Sequence, residues 1–338
     1  MEKIESLFYE MSGPRTLCLK KEILNFNLIL PNEIIAKTCY SAISPGTEVA
    51  AFCGVESLRG DRITYPRLLG YCNIAQVIFK GDSVSKLEIG DYFLNFQSHR
   101  SHFRCNENDF LIKVSENNIK DKCVSYLFHL GYHSLLTANI QAGHNIGVIG
   151  LGVLGFTTSI MSKVAGANTF VLTNQLFYKN LLDSKKINIL PKDLSSLDSI
   201  NKKTHQIGID IVINTSNSWE DWLLALNIVN KGGTIVNLGF PGRGQSPPHF
   251  NPLDPKFLYM KNVTIKYLSE LNQTGAEIYE QRFNIERNLK YILDLMESNA
   301  INSSEIISSE ISYLDLEKQY LLYESKKQNL FSTILKWC

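Results

Sequence analysis

Asn145-Ile146-Gly147-Val148-Ile149-Gly150-Leu151-Gly152-Val153-Leu154-Gly155 governs the reading of this 338-residue chain. A short apolar strand runs into Gly150-x-Gly152-x-x-Gly155. A helix-like segment from Thr157 to Ala165 follows, then a second strand, Thr169 to Thr173. Each glycine has a mechanical role: Gly150 permits a tight turn, Gly152 lets backbone approach a pyrophosphate, and Gly155 lets helix pack against strand. The helix N-terminus offers unpaired N–H groups and the positive end of its dipole to the phosphates, and Val153 and Leu154 are counted with the glycines as cofactor-binding. Strand, glycines, helix and strand in this order predict a dinucleotide site, against a merely structural strand–turn–helix.

Outward from that unit, the chain changes character. Residues 1–122 read as a mostly β domain: Ile34 to Tyr40 and Ile74 to Phe79 are β-branched and aromatic. Turn signals at Ser44-Pro45-Gly46, Lys80 to Ser83 and Ile89-Gly90-Asp91 interrupt them. Residues 123–268 alternate helix and apolar strand. Cys123 to Asn139 is helix-like, and Ile209 to Asn214 and Thr234 to Leu238 are further strands. Between these two strands lies a helix from Trp219 to Asn230, which Lys231-Gly232-Gly233 is expected to close. Such alternation predicts an α/β fold with a doubly wound parallel sheet. In residues 269–338, Leu289, Ile292, Leu293 and Met296 have helical spacing, Ser303 to Ser309 reads as a loop edge, and Thr333 to Lys336 as a final strand.

Composition excludes other classes. A hydrophobic share of 44% suits a globular protein, and a net charge of +1 argues against nucleic acid or an anionic membrane as the main partner. No apolar run approaches the roughly 20 residues of a spanning helix. The N-terminus, Met1-Glu2-Lys3-Ile4-Glu5, is acidic where a signal peptide would be basic, so a cytoplasmic location is expected. The seven cysteines are scattered without a Cys-x-x-Cys pair, which indicates reduced thiols rather than a disulfide framework or a compact zinc knot.

These pieces together resemble the medium-chain dehydrogenase/reductase superfamily over nearly the whole chain. Gly70, Val77, Gly81 and Val84 with Gly90-Asp91 resemble its glycine-rich β stretch. Asp210 to Asn214, Gly232-Gly233 and Leu238-Gly239-Phe240 resemble the second half of its nucleotide domain. The resemblance implies a GroES-like, mostly β catalytic domain, a Rossmann domain, and a C-terminal segment returning to the catalytic domain. Ser41 to Glu48 is also similar to a subgroup with a Ser-x-Gly-Thr-Glu turn, which includes bacteriochlorophyllide and sugar-linked dehydrogenases.

Zinc-dependent members hold their metal with residues that align to Ser44, to Tyr71 within Gly70-Tyr71-Cys72, and to the vicinity of Tyr126. A serine and two phenols are not zinc donors, so no catalytic zinc is expected. Cys72, Glu48, His99 and His102 match no replacement pattern. Only Cys105 lies between Asp91 and Val114, so the four-cysteine structural zinc site is not expected either. Without a Lewis acid, hydrogen-bond donors must stabilise charge that develops on oxygen. The candidates are Tyr71, Thr47 and Glu48, with Tyr132 and His133 as further ones. Tyr71 is either a donor or a packed ring filling the metal's place, Glu48 a proton relay or a hydrogen-bonded turn residue, and His99 and His102 are read as structural.

The resemblance implies a nicotinamide cofactor on Gly150 to Gly155, flanked by Leu238-Gly239-Phe240. At the end of the second strand, where an acid would hold a ribose, stands Asn174, with Lys179 after it. A neutral residue and a lysine favour NADP(H) over NAD(H), although Asn174 can bond a free ribose and Lys179 can be a solvated helix residue. Ser332 stands near where some relatives have a basic residue facing the pyrophosphate. The expected function is zinc-independent hydride transfer on an alcohol/carbonyl pair, with a small sugar-derived or biosynthetic substrate. The alternatives are reduction of an activated C=C bond and a non-catalytic nucleotide-binding relative. A homodimer is expected through the sheet edge Asn262 to Tyr267.

Overall fold

Strands dominate the first part of the chain, and helices alternate with strands after it. The computed structural model describes residues 3–55, 64–268, 271, 273, 283–326 and 330–337. In chain order the elements are β1 (Lys3–Gly13), β2 (Thr16–Asn25), β3 (Glu33–Ala42), α1 (Pro45–Phe52), β4 (Arg67–Leu68), β5 (Cys72–Lys80), β6 (Tyr92–Asn95), β7 (His102–Asn106), β8 (Ile112–Val114), α2 (Ile119–Lys122) and α3 (Ser125–Thr137). There follow β9 (Asn145–Ile149), α4 (Val153–Val164), β10 (Asn168–Leu172), α5 (Lys179–Ser184), β11 (Asn188–Leu190), α6 (Ser196–Lys203), β12 (Ile209–Asn214), α7 (Trp219–Ile228), β13 (Val229–Asn237), α8 (Pro255–Leu258) and β14 (Thr264–Tyr267). The C-terminal elements are α9 (Ile285–Glu297), β15 (Ile307–Ser312), α10 (Leu316–Ser325) and β16 (Ser332–Lys336).

Contacts divide the chain into two units, residues 1–126 with 272–338, and residues 127–271. In the first, a sheet ordered β15-β16-β3-β5-β6-β8 also pairs β7 with β3, and a smaller sheet runs β2-β1-β4. Ile34 and Ala36 on β3, Ala75 and Val77 on β5, and Phe93 on β6 alternate into one core with Phe103. A second core gathers Phe52, Tyr320 and Trp337 around Met11 and Ile43. The last strand is thus stitched into the first unit: β16 runs antiparallel to β3, with Leu335 opposite Ser41.

In the second unit every strand pair is parallel, in the order β11-β10-β9-β12-β13-β14. The chain winds outward from β9 to β11 on one side and from β12 to β14 on the other. The crevice at the carboxyl ends of β9 and β12 is therefore the topological switch point, the usual ligand position in such sheets.

Three local expectations fail. Ser44-Pro45-Gly46 is the start of α1 rather than an interrupting turn, because proline fits the first helical position, where its missing N–H is not needed. Helix α7 stops at Ile228, and Lys231-Gly232-Gly233 lies inside β13. The Lys261 ammonium ends the helix, donating to the carbonyl oxygens of Leu226, Asn227 and Val229 at 3.0, 2.7 and 2.9 Å. The serine-rich Ser303 to Ser309 segment is a short 3₁₀ turn followed by β15, parallel to β16. Pairing with β16, including a 3.0 Å bond between the Ser309 and Thr333 hydroxyls, decides what composition did not signal.

Candidate active site

In the second unit, β9 turns into α4 through Gly150, whose φ of +95° suits glycine. A Cβ on Gly155 would overlap the Gly150 carbonyl oxygen, so the helix crosses the strand at a distance only glycine allows. Gly152 is the N-cap of α4, and no atom lies within 4 Å of where its Cβ would be. That open cradle, backed by the first turn at Val153 and Leu154, fits a pyrophosphate. The Thr215 hydroxyl braces the turn by donating to the Ile149 carbonyl at 2.8 Å. Alongside, the Leu238 and Gly239 N–H groups both donate to the Asn214 carbonyl, and Phe240 remains partly exposed.

At the end of β10, Asn174 is exposed, and its side-chain oxygen accepts the Lys192 backbone N–H at 3.2 Å. Lys179 is exposed at the start of α5, whereas the Lys192 ammonium pairs with buried Asp221 at 2.9 Å. Tyr132 and His133 lie on α3. His133 is buried and stacks on His129 with centroids 5.8 Å apart. Burial lowers the proton affinity of both imidazoles, that of His129 to about 3 with help from His133, so neither is charged near neutrality.

In the first unit the residues aligned to the metal positions do meet. The Tyr71 hydroxyl donates to the Ser44 hydroxyl oxygen at 2.5 Å, and the Tyr71 and Tyr126 rings meet edge-to-face at 5.5 Å. Thr47, exposed on the first turn of α1, stands near the same phenol and, with Ser44, offsets part of its raised proton affinity. Burial pushes the Tyr71 hydroxyl well above the ordinary phenol range, and nearby Cys72 and Glu48 push it further. Tyr126 rises to about 12, again through burial first and Cys72 second. Burial also raises the Cys72 thiol well above its ordinary value. These are protonated oxygens and a protonated sulfur, and among the described residues no group of three His, Cys, Asp or Glu side chains could hold a metal. The donor set does not fit zinc.

Behind this trio stands a buried polar cluster centred on Glu48, only 1% exposed. One carboxylate oxygen accepts the Ser44 backbone N–H at 2.7 Å, so the side chain reaches back to the residue that caps its own helix. The other meets His99 Nε2 at 2.8 Å and accepts from the Tyr320 hydroxyl at 2.6 Å. Donor logic orients the rest. The Trp337 indole can only donate, and it does so to the Ser41 hydroxyl oxygen at 2.8 Å. The same Ser41 hydroxyl is hydrogen-bonded to His99 Nδ1, 2.8 Å away, so the ring bridges Ser41 and Glu48. Gly70, at φ +92°, lies under this ring: a Cβ there would sit 2.8 Å from three ring atoms.

Sequence reasoning placed Glu48 and His99 but missed Ser41, Tyr320 and Trp337. No local pattern joins them, since Trp337 lies 296 residues from Ser41. His102 stays outside the cluster, its Nδ1 3.0 Å from the Ser101 hydroxyl. Ser332 is fully buried in β16, its hydroxyl donating to the Ile43 carbonyl at 2.7 Å.

No protein-family model matches the chain. It is 25% identical over 308 residues to L-threonine 3-dehydrogenase of Caldanaerobacter subterraneus subsp. tengcongensis, spanning 80% of this chain and 83% of that protein. It is 23% identical over 214 residues to NADP-dependent isopropanol dehydrogenase of Thermoanaerobacter brockii, spanning 61% of this chain and 55% of that one. Among solved structures, L-idonate 5-dehydrogenase from Escherichia coli superposes with a TM-score of 0.80 over 99% of each chain, at 14% identity. At that identity the likeness is one of fold.

Proposed function

We propose that this chain, a member of the medium-chain dehydrogenase/reductase superfamily, moves hydride between a nicotinamide nucleotide and an alcohol/carbonyl substrate without a catalytic zinc. The observation that carries this reading is the bonded Tyr71–Ser44 pair, with Thr47 on its outer side, where zinc-dependent members hold their metal. A bound nicotinamide nucleotide would supply or take the hydride. Gly150, Gly152, Val153, Leu154 and Gly155 would hold its pyrophosphate, with Leu238-Gly239-Phe240 alongside. Asn174 and Lys179 would face the adenosine ribose. The Asn174 amide NH₂ and the exposed Lys179 ammonium, with no carboxylate at the strand end, favour NADP(H) over NAD(H).

The chain's own task is to stabilise charge that builds on the substrate oxygen during reduction. Each of the three hydroxyls both donates and accepts, so their directions can reverse together. Ser44 then donates to Tyr71, Tyr71 to Thr47, and exposed Thr47 to the oxygen. Glu48 fixes the inner end by holding the Ser44 backbone N–H. Reduction of an activated C=C bond would use the same donors on a conjugated carbonyl. A non-catalytic relative would bind nucleotide and turn nothing over. A homodimer would form through β14, the terminal strand of the second unit's sheet.

Zinc analysis of protein prepared without chelator, together with NADPH and NADH oxidation on a carbonyl panel, tests this function. The expected result is turnover with no stoichiometric zinc, and a kcat lowered by roughly 10²–10³ in Thr47→Val and Tyr71→Phe. One tightly held zinc per chain would overturn the zinc-free mechanism. A silent Tyr71→Phe would reduce Tyr71 to packing.

A further inference from the structure

The place that zinc ligands occupy in other members is lined by rings in this chain. Tyr71 and Tyr126 meet edge-to-face, Phe96 meets Tyr126 at 5.0 Å and 72°, and Phe96 stacks on Phe110 at 4.5 Å and 3°. Tyr71, Tyr126 and Phe96 are each half-buried residues, while Phe110 is buried behind Phe96. Two polar side chains near this wall are already engaged. Glu48 is filled by three donors, and Asn95 donates to Asn73 while accepting the Gln97 N–H. A polyhydroxylated or phosphorylated substrate needs free carboxylates, amides or cations to replace its water. A flat, apolar one needs ring surface.

We infer that the substrate carries an aromatic ring or an extended conjugated system next to its carbonyl, and that Phe96 and Tyr126 select it. The inference rests on the hydride-transfer function proposed above, and it departs from the sugar-derived substrate expected from the sequence. The carbonyl oxygen would reach Thr47 while the planar group lies against the rings. Phe96, which follows β6 directly, and Tyr126, at the start of α3, are set by different elements, so each can be varied separately.

The test compares acetophenone, acetone and fructose with NADPH. Acetophenone is expected to exceed both others in kcat/KM. Phe96→Leu, which keeps apolar packing on Phe110, should shrink the acetophenone-to-acetone ratio by roughly two- to tenfold, the scale of one lost ring contact. Tyr126→Leu should do the same, which covers the case of one variant failing to fold. A preference for fructose, or a ratio unmoved in both variants, would overturn the substrate class while leaving hydride transfer intact. If no carbonyl is reduced, hydride transfer fails, and saturation-transfer NMR with acetophenone decides separately. A signal that weakens in Phe96→Leu retains the aromatic site, and no signal removes it.

Discussion

The turn between β9 and α4 takes its parts from residues 145–155, whereas the cluster around Glu48 draws on Ser41, Ser44, Tyr71, His99, Tyr320 and Trp337. The first is made of backbone: what matters at Gly150 and Gly155 is the absence of a Cβ. The second is made of side chains, whose donors converge on a few acceptors in a largely buried place. A backbone site fails when something is added, and a side-chain site fails when something is taken away.

The widest test of that contrast pairs two glycines. Gly155→Val forces atoms into the Gly150 carbonyl and should cost more than about 4 kcal/mol of stability, the range of severe steric conflicts, with loss of nucleotide binding. Gly152→Ala meets open space and should leave the melting temperature nearly unchanged while weakening nucleotide binding, because the added methyl takes the space a pyrophosphate needs. Calorimetric titration with NADPH beside thermal melts reads both. A Gly152→Ala protein that binds normally would show that the cradle lies elsewhere.

Next in size is Glu48→Ala, which strands the Ser44 N–H, His99 and Tyr320 donors inside the protein. Removing one side of such a buried arrangement costs roughly 3–5 kcal/mol. Glu48→Gln keeps an acceptor oxygen and should recover part of that loss. Urea unfolding of the two variants measures the difference, and equal, small effects would mean that the cluster adds nothing to stability.

The smallest effect is expected at the rim of the backbone site. If Lys179 meets a 2′-phosphate, Lys179→Ala should weaken NADP(H) roughly tenfold, one charge-assisted contact, and leave NADH binding alone. Equal changes for both nucleotides would refute the phosphate role.

Much of this was legible in advance. Apolar strands β9, β10 and β12, with glycines between strand and helix, announce a parallel sheet. Resemblance then pointed to Ser44, Tyr71 and Tyr126, which the fold brings together. The end of α7 was misread because its stop signal, Lys261, lies far along the chain from Ile228. Nothing in the sequence singles out Phe96 and Phe110, since a ring's neighbours are not written in its own segment.

By itself the sequence determined the strand and helix periods and the glycine turn. Those depend on residue type and local backbone geometry, which act over a few residues. Only the tertiary structure decided that Trp337 donates to Ser41, that Tyr320 closes on Glu48 across 272 residues, and that Tyr126, Phe96 and Phe110 continue a chain of ring contacts from Tyr71. The two hydrogen bonds exist only once β16 and α10 have packed beside β3 and α1, because a hydrogen bond depends on where its donor and acceptor lie in space and not on their separation along the chain.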